Sequence, residues 1–212
     1  MTRDAAATRQ RLLAAARDEF AARGIAGSRV DRIADAARSN KAQIYHYFGS
    51  KDGLFDAVFD DMCRQTVDAV PIDATDLPEY AGRLFDSYRQ RPWVQRIASW
   101  YRLERAGTGD LAQGVLASNR AKIEAVAAAQ AAGAVPARFA PDVLLGLVLH
   151  LSGFWDANVP EFDAVVEVDT VKARRKVVVD AVAALLGRSA AGQDDAGPHL
   201  PARQPASTKG ER

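Results

Sequence analysis

Apolar residues return along most of this chain at intervals of three and four, the period of a helix with one buried face. Leu12, Leu13, Ala16 and Phe20 form the first such stripe, which stops near Gly24. Ser28 is placed to cap a short second helix over 29–37, with Val30, Ile33, Ala34 and Ala37 turned inward. Asn40 is placed to cap a third over 41–48, where Ile44 and Phe48 lie one turn apart on the buried side. Ser50 opens a fourth, on which Leu54, Phe55, Val58, Phe59 and Met62 make a broad apolar face. Pro71 and the polar cluster through Pro78 then interrupt the pattern. Beyond it the periodicity predicts helices over 79–90, 93–106, 111–132, 142–158 and 169–187, punctuated by Pro92, Gly107, Gly109, Pro136, Pro141 and Pro160. No alternating stretch of strand length occurs, and even the β-branched run 177–179 continues at helical period to Leu186. After Gly187 the composition shifts to Gly, Pro, Ser, Gln and charge, which predicts a disordered tail over 188–212.

The chain is therefore expected to be all-α. Its 48% hydrophobic and 26% charged residues suit a soluble globular protein that needs no disulfide or metal staple. Cys63 is the only cysteine, which excludes an intramolecular disulfide and fits a reducing cytosol. Thr2, Arg3 and Asp4 precede the first apolar pair at Leu12 and Leu13, unlike a secretory leader. The longest near-apolar run, 143–149, is too short to cross a bilayer. A cytoplasmic location without membrane contact is expected.

Net charge is only +1, but it is unevenly spread. Residues 1–52 hold ten Arg and Lys against six Asp and Glu, and the remainder eighteen against twenty-one. A basic segment on a mildly acidic body suits contact with a polyanion. That segment also holds the two short helices over 29–37 and 41–48, joined by Arg38, Ser39 and Asn40 alone. This is the spacing of a helix-turn-helix, whose second helix enters the DNA major groove. Ile44 and Phe48 would anchor that helix, leaving Lys41, Ala42, Gln43, Tyr45 and His46 as the reading face. Gln can bond adenine in two places, and Ala can touch a thymine methyl.

The stretch from Thr8 to Phe59 resembles the N-terminal domain of the TetR family of regulators. The resemblance is carried by "DEFAARGIAGSRV" and "IADAARSNKAQIYHYFGSKDGLFDAV". Family members end helix one with Phe and Gly, open helix two with Thr or Ser, and then show a Leu-Tyr-x-x-Phe-x-x-Lys signature. Here that signature reads Ile44, Tyr45, His46, Tyr47, Phe48, Gly49, Ser50 and Lys51. The resemblance implies a three-helix DNA-binding domain over 1–52 and a larger helical regulatory and dimerisation domain over 53–187. It implies phosphate contacts from Ser28 and Arg29 and base contacts from Ala42, Gln43 and His46, the last also reaching phosphate. Tyr45 and Lys51 would clamp the DNA backbone, Lys51 from a helix N-terminus that already favours anions. Arg38 and Ser39 depart from the family, which has Gly and an apolar residue there. Arg38 is thereby a further candidate for a phosphate contact.

The resemblance also implies dimerisation through the last two helices and a small-molecule cavity. In 142–158 the apolar positions cover more than one stripe, so that helix needs burial on two sides. Together with the stripe Val171, Val178, Val182, Leu185 and Leu186 it suits a four-helix bundle between two copies. Aromatic residues concentrate between Tyr80 and Phe162. Trp93, Trp100, Tyr101 and Trp155, with Glu104 and His150, are the expected binding site for a lipophilic, aromatic effector, with Glu104 favouring a cation.

The expected function is a sequence-specific transcriptional regulator, a repressor released from duplex operator DNA by that effector. An enzyme using Cys63 and His150 lacks any local catalytic signature. No two His or Cys residues stand at metal-ligand spacing, and no strand precedes Gly107 and Gly109, so neither a metal nor a nucleotide cofactor is expected. A helical DNA-associated or partner-binding protein without effector response is the remaining alternative. Ligand-dependent release of DNA separates it from a repressor.

Overall fold

The computed structural model describes residues 3–105, 112–157 and 160–187. Among them the regular structure is helical throughout: α1 (Arg3–Gly27), α2 (Val30–Ala36), α3 (Lys41–Phe48), α4 (Lys51–Ala69), α5 (Leu77–Gln90), α6 (Trp93–Arg105), α7 (Gln113–Ala131), α8 (Pro141–Ser152), α9 (Pro160–Asp163) and α10 (Val171–Leu185), with a single 3₁₀ turn at Phe154–Asp156. The expected tail over 188–212 lies outside the described residues, as do Gly107 and Gly109. No described helix is long and apolar enough to cross a membrane.

α3 and α4 each start where a polar side chain satisfies an orphan backbone N–H. Asn40 Oδ1 accepts from the Gln43 N–H at 2.9 Å, and Ser50 Oγ from the Gly53 N–H at 2.9 Å, as their sequence positions predict. Ser28 does not cap α2. Its buried hydroxyl instead donates back to the carbonyls of Gly24 and Glu19, and the α2 N-cap is Arg29, without a side-chain bond.

The stripe Leu12, Leu13, Ala16 and Phe20 is buried, and Phe20 meets the edge of Phe55 with ring centroids 5.2 Å apart. One continuous core runs from these residues through α4 to Leu84, Phe85, Val148 and Val182. The amino-terminal helices and the larger body are thus joined by apolar packing, with α4 bridging them. The first turns of α4 rest on α3, and Gly53 is what permits this. A Cβ at Gly53 would stand 2.2 Å from the Phe48 carbonyl oxygen.

Two expectations for the carboxy-terminal half need correction. The helix expected over 142–158 ends at Ser152, because the chain turns at Gly153, where a Cβ would meet the Gln95 amide at 2.8 Å. The turn carries Trp155 onto α10: its indole N–H donates to the Arg174 carbonyl at 3.1 Å, and the Arg174 guanidinium lies 4.7 Å from the ring centroid. On α10, Val178, Val182 and Leu186 are buried, but Val171 and Val177 face outward. Of the expected stripe Leu185 is half-buried and Val171 alone faces outward, because α5 and α8 cover one side of α10 only.

Gly53→Ala tests the α3–α4 junction. The clash is with backbone, which cannot swing aside, so a loss of about 1–3 kcal/mol in urea unfolding is expected. The helix-propensity gain of an alanine would be too small to reverse that sign.

Candidate nucleic-acid interface

The turn between α2 and α3 closes on two backbone bonds. Arg38 N–H donates to Asp35 O at 3.0 Å and Ser39 N–H to Ala34 O at 2.9 Å, the pairing that ends a helix on a left-handed residue. Arg38 is that residue, at φ 50°. Glycine adopts this geometry without strain, whereas a residue with a Cβ does so at a cost of about 1–2 kcal/mol. The turn is formed with arginine all the same, and the side chain is exposed at the rim of the groove between α1 and α2. At the other end of α3, Gly49 (φ 75°) closes the helix through its N–H to Tyr45 O at 2.9 Å.

Glu19 of α1 organises the start of α2. Its carboxylate accepts from the Arg29 backbone N–H at 3.1 Å and from Arg32 Nε at 2.7 Å, with Arg23 3.5 Å away. Burial works against its charge, but the bonds to Arg32 and Arg29 and the charges of Arg32 and Arg23 outweigh it, holding the Glu19 pKa below the usual range. Arg29 and Lys41 flank Asp31, each forming an ion pair with it. The Lys41 hydrogen bond is the main cause lowering the pKa of Asp31.

On α3, Ile44 is fully buried, while Lys41, Ala42, Tyr45 and His46 are exposed and Gln43 is half-buried. Tyr45 is 51% exposed, a large value for a tyrosine, and no core packing explains its position. Tyr47, by contrast, is half-buried, with His46 at its edge 5.2 Å away. The structure thus places Arg29, Arg38, Lys41, Ala42, Gln43, Tyr45 and His46 around one exposed helix. Ser28 is not among them, because its hydroxyl is turned into α1. Lys51 is partly withdrawn, its ammonium 3.3 Å from Ser28 O and 3.5 Å from Ala26 O.

The segment carrying those carbonyls is held from its other side by α6. Gly24 breaks α1 with φ 69° and ψ −175°, a region essentially confined to glycine. The break frees the next N–H groups, and the Glu104 carboxylate takes both: Ile25 N–H at 3.2 Å and Ala26 N–H at 2.8 Å. Trp100 covers the same spot, so a Cβ at Gly24 would lie 2.2 Å from Glu104 Oε1 and 2.7 Å from the indole. Nearby, Arg105 pairs with Asp52 and Asp56 of α4, each at 3.2 Å.

These contacts overturn most of the expected effector site. Trp93, Trp100 and Glu104 lie on the face of α6 that meets α1, with Arg17 stacked 4.9 Å from the Trp93 ring centroid. Trp155 is packed on α10. Tyr101 and His150 do line a cavity of about 410 Å³ between α4, α6, α7 and α8. Tyr101 stacks on Phe59 at 4.1 Å, and the His150 ring nitrogen Nδ1 sits 3.1 Å from Gly146 O. The wall also includes Met62, Cys63, Tyr88, Arg102, Lys122 and Asp156, none of them expected as effector contacts. Burial pushes the Cys63 thiol up to about 11 and the Lys122 amine down. The helical spacing of Trp93, Ile97, Trp100 and Glu104 was the available signal: it puts them on one stripe, apart from Tyr101.

Comparisons with known proteins agree with this architecture. Residues 12–58 match the family model for bacterial regulatory proteins of the tetR family, and residues 76–184 the model for the tetracyclin repressor-like C-terminal domain. The chain is 36% identical over 162 residues to the HTH-type transcriptional repressor SCO4008 of Streptomyces coelicolor, covering 75% of this chain and 83% of that one. The crystal structure of SCO4942 from the same species superimposes with a TM-score of 0.75 at 38% identity, covering 85% of this chain and 99% of that one. GusR of Salmonella enterica shares the fold at 18% identity, with a TM-score of 0.63 over 85% of this chain and 95% of its own.

The Glu104 clamp is open to direct test. Glu104→Gln keeps the shape but offers one acceptor where two N–H groups need one each. A loss of about 1–3 kcal/mol in unfolding is expected, with faster amide exchange at Ile25 and Ala26 ahead of the rest of α1. Unchanged exchange at both amides would show that the carboxylate does not hold them.

Proposed function

This chain belongs to the TetR family of bacterial transcriptional regulators, and from that premise we propose that it is a cytoplasmic, dimeric repressor released from its operator by a lipophilic effector bound beside Tyr101 and His150. The observation that carries the proposal is the double role of α6. One face walls the 410 Å³ cavity, and the other holds the segment that leads into the helix-turn-helix. A ligand that favours a shifted α6 thereby favours a shifted reading helix. Coupling requires only such differential affinity, and a tenfold loss of operator binding corresponds to about 1.4 kcal/mol. The relative named as a repressor supports the direction of control.

On DNA, α3 enters the major groove with Ala42, Gln43 and His46 toward bases. Arg29, Arg38, Lys41 and Tyr45 meet phosphates, and Lys51 does so at the N-terminus of α4. Lys41 and Lys51 exchange present partners, Asp31 and two loop carbonyls, for phosphate oxygens. The second copy of the chain covers the outward side of α8 and α10, where Val143, Val171 and Val177 are 50%, 46% and 40% exposed. Exposed aliphatic residues on two neighbouring helices suit a self-complementary four-helix bundle.

Two experiments test this reading. Gln43→Ala is expected to change base preference, whereas Lys51→Ala weakens binding to all sequences and lowers the salt slope by about one unit. Preference unchanged in Gln43→Ala would move base reading to Ala42, His46 or Arg38. Sedimentation is expected to find a dimer whose operator half-sites lie about 34–36 Å apart or somewhat more. Val143→Glu with Val177→Glu should yield a folded monomer with strongly reduced operator affinity. A wild-type monomer at micromolar concentration, with and without DNA, would sink the dimeric model.

A further inference from the structure

We propose that the effector is an amphipathic organic acid whose carboxylate pairs with Lys122 while its apolar body fills the central cavity. The proposal rests on reading that cavity as the effector site. Lys122, on α7, lines both this cavity and a lateral one of about 730 Å³, the two sharing Cys63, Ser118 and Lys122. Among the described residues, the Lys122 ammonium has no hydrogen-bond or ion-pair partner. Other cations around these walls are engaged: Arg64 pairs with Asp61, Arg9 lies over Phe48, and Arg102 donates to the Ser99 hydroxyl at 3.1 Å.

An ammonium group withdrawn from water without a partner is disfavoured, and its pKa is accordingly displaced downward by burial. An anion delivered beside it removes that penalty, so the site gains most from a ligand of opposite charge. The groups around the central cavity lean the same way. Arg102 and Lys122 stand against one carboxylate, Asp156, whose pKa burial raises, opposed by the charge of Arg89 and reinforced by Asp163. The lateral cavity has no such surplus, because Asp60, Asp61 and Asp68 face Arg9, Arg64 and Lys122 there. Head and tail are therefore both assigned to the central cavity. Glu104, the feature that favoured a cationic effector, is committed to the Ile25 and Ala26 amides instead. Phe59, Tyr101, Val94 and Leu149 supply the apolar wall for the tail.

The test uses the full-length protein and a panel of naphthyl, phenylalkyl and C8–C12 alkyl tails. Each tail is presented as carboxylate, primary amide and amine, with binding measured by calorimetry and operator release by fluorescence anisotropy. For tails that bind, the acid is expected to exceed its amide and amine at least tenfold. Lys122→Met should abolish that advantage while leaving amide affinity unchanged, which also reports an intact cavity, and Lys122→Arg should restore it. Amides or amines that match the acid, or acid binding unaffected by Lys122→Met, would overturn the organic-acid inference and leave effector-controlled release standing. Acids that bind through Lys122 without releasing operator DNA would support the ligand class and overturn the repressor-release reading. Absence of binding by every member would overturn both.

Discussion

The rest of the structure depends on the break in α1 at Gly24. A helix continued through this point would keep its N–H groups for itself and leave α6 nothing to hold. Because the backbone turns into a region that only glycine tolerates, the Ile25 and Ala26 N–H groups become free, and the missing side chain leaves room for Trp100. Glu104 then closes both donors in charge-assisted bonds. The DNA-binding helices are thereby seated on the body by backbone chemistry as well as by apolar packing.

From that seat two polar systems position α2 and α4, the neighbours of α3. Lys51 draws on the carbonyls of the segment whose amides Glu104 holds, so α4 and α6 grip it from opposite sides. Glu19, one turn before the break, fixes the start of α2 through Arg29 and Arg32. A carboxylate that buried would be costly alone, and the cations and amide around it reverse the sign. The loop is small, but it joins the cavity wall, the helix-turn-helix and the N-terminal end of α4. α6 is thereby linked through this loop to α4 and to the helix-turn-helix.

Much of the helix-turn-helix was legible in the sequence because its determinants are local. Asn40 and Ser50 cap the helices that follow them, and Ile44 is buried where the period of α3 puts it. Ser28 misled because a serine before a short helix has two satisfactory uses, and the carbonyls left open at the α1 break compete for its hydroxyl. The fragment 153–157 misled because its apolar residues continue a helical period, whereas the chain turns at Gly153 against Gln95.

The sequence by itself determined the all-helical class, the closely spaced helix pair with the cap and exposed face of α3, and membership of a regulator family. These follow from residues within a few positions of one another, whose hydrogen bonds and periodicity do not depend on what lies opposite. Only the tertiary structure decided what the aromatic residues of the body do. Trp100 and Tyr101 are neighbours in sequence, yet they point to different sides of α6, one to α1 and one to the cavity. Which side is a helix interface and which a cavity wall depends on the helices packed against each, and that information is long-range. The same holds for Lys122: in sequence it is one of many cations, and it becomes distinctive only where the folded chain leaves it half-buried and unpaired at the wall of a cavity.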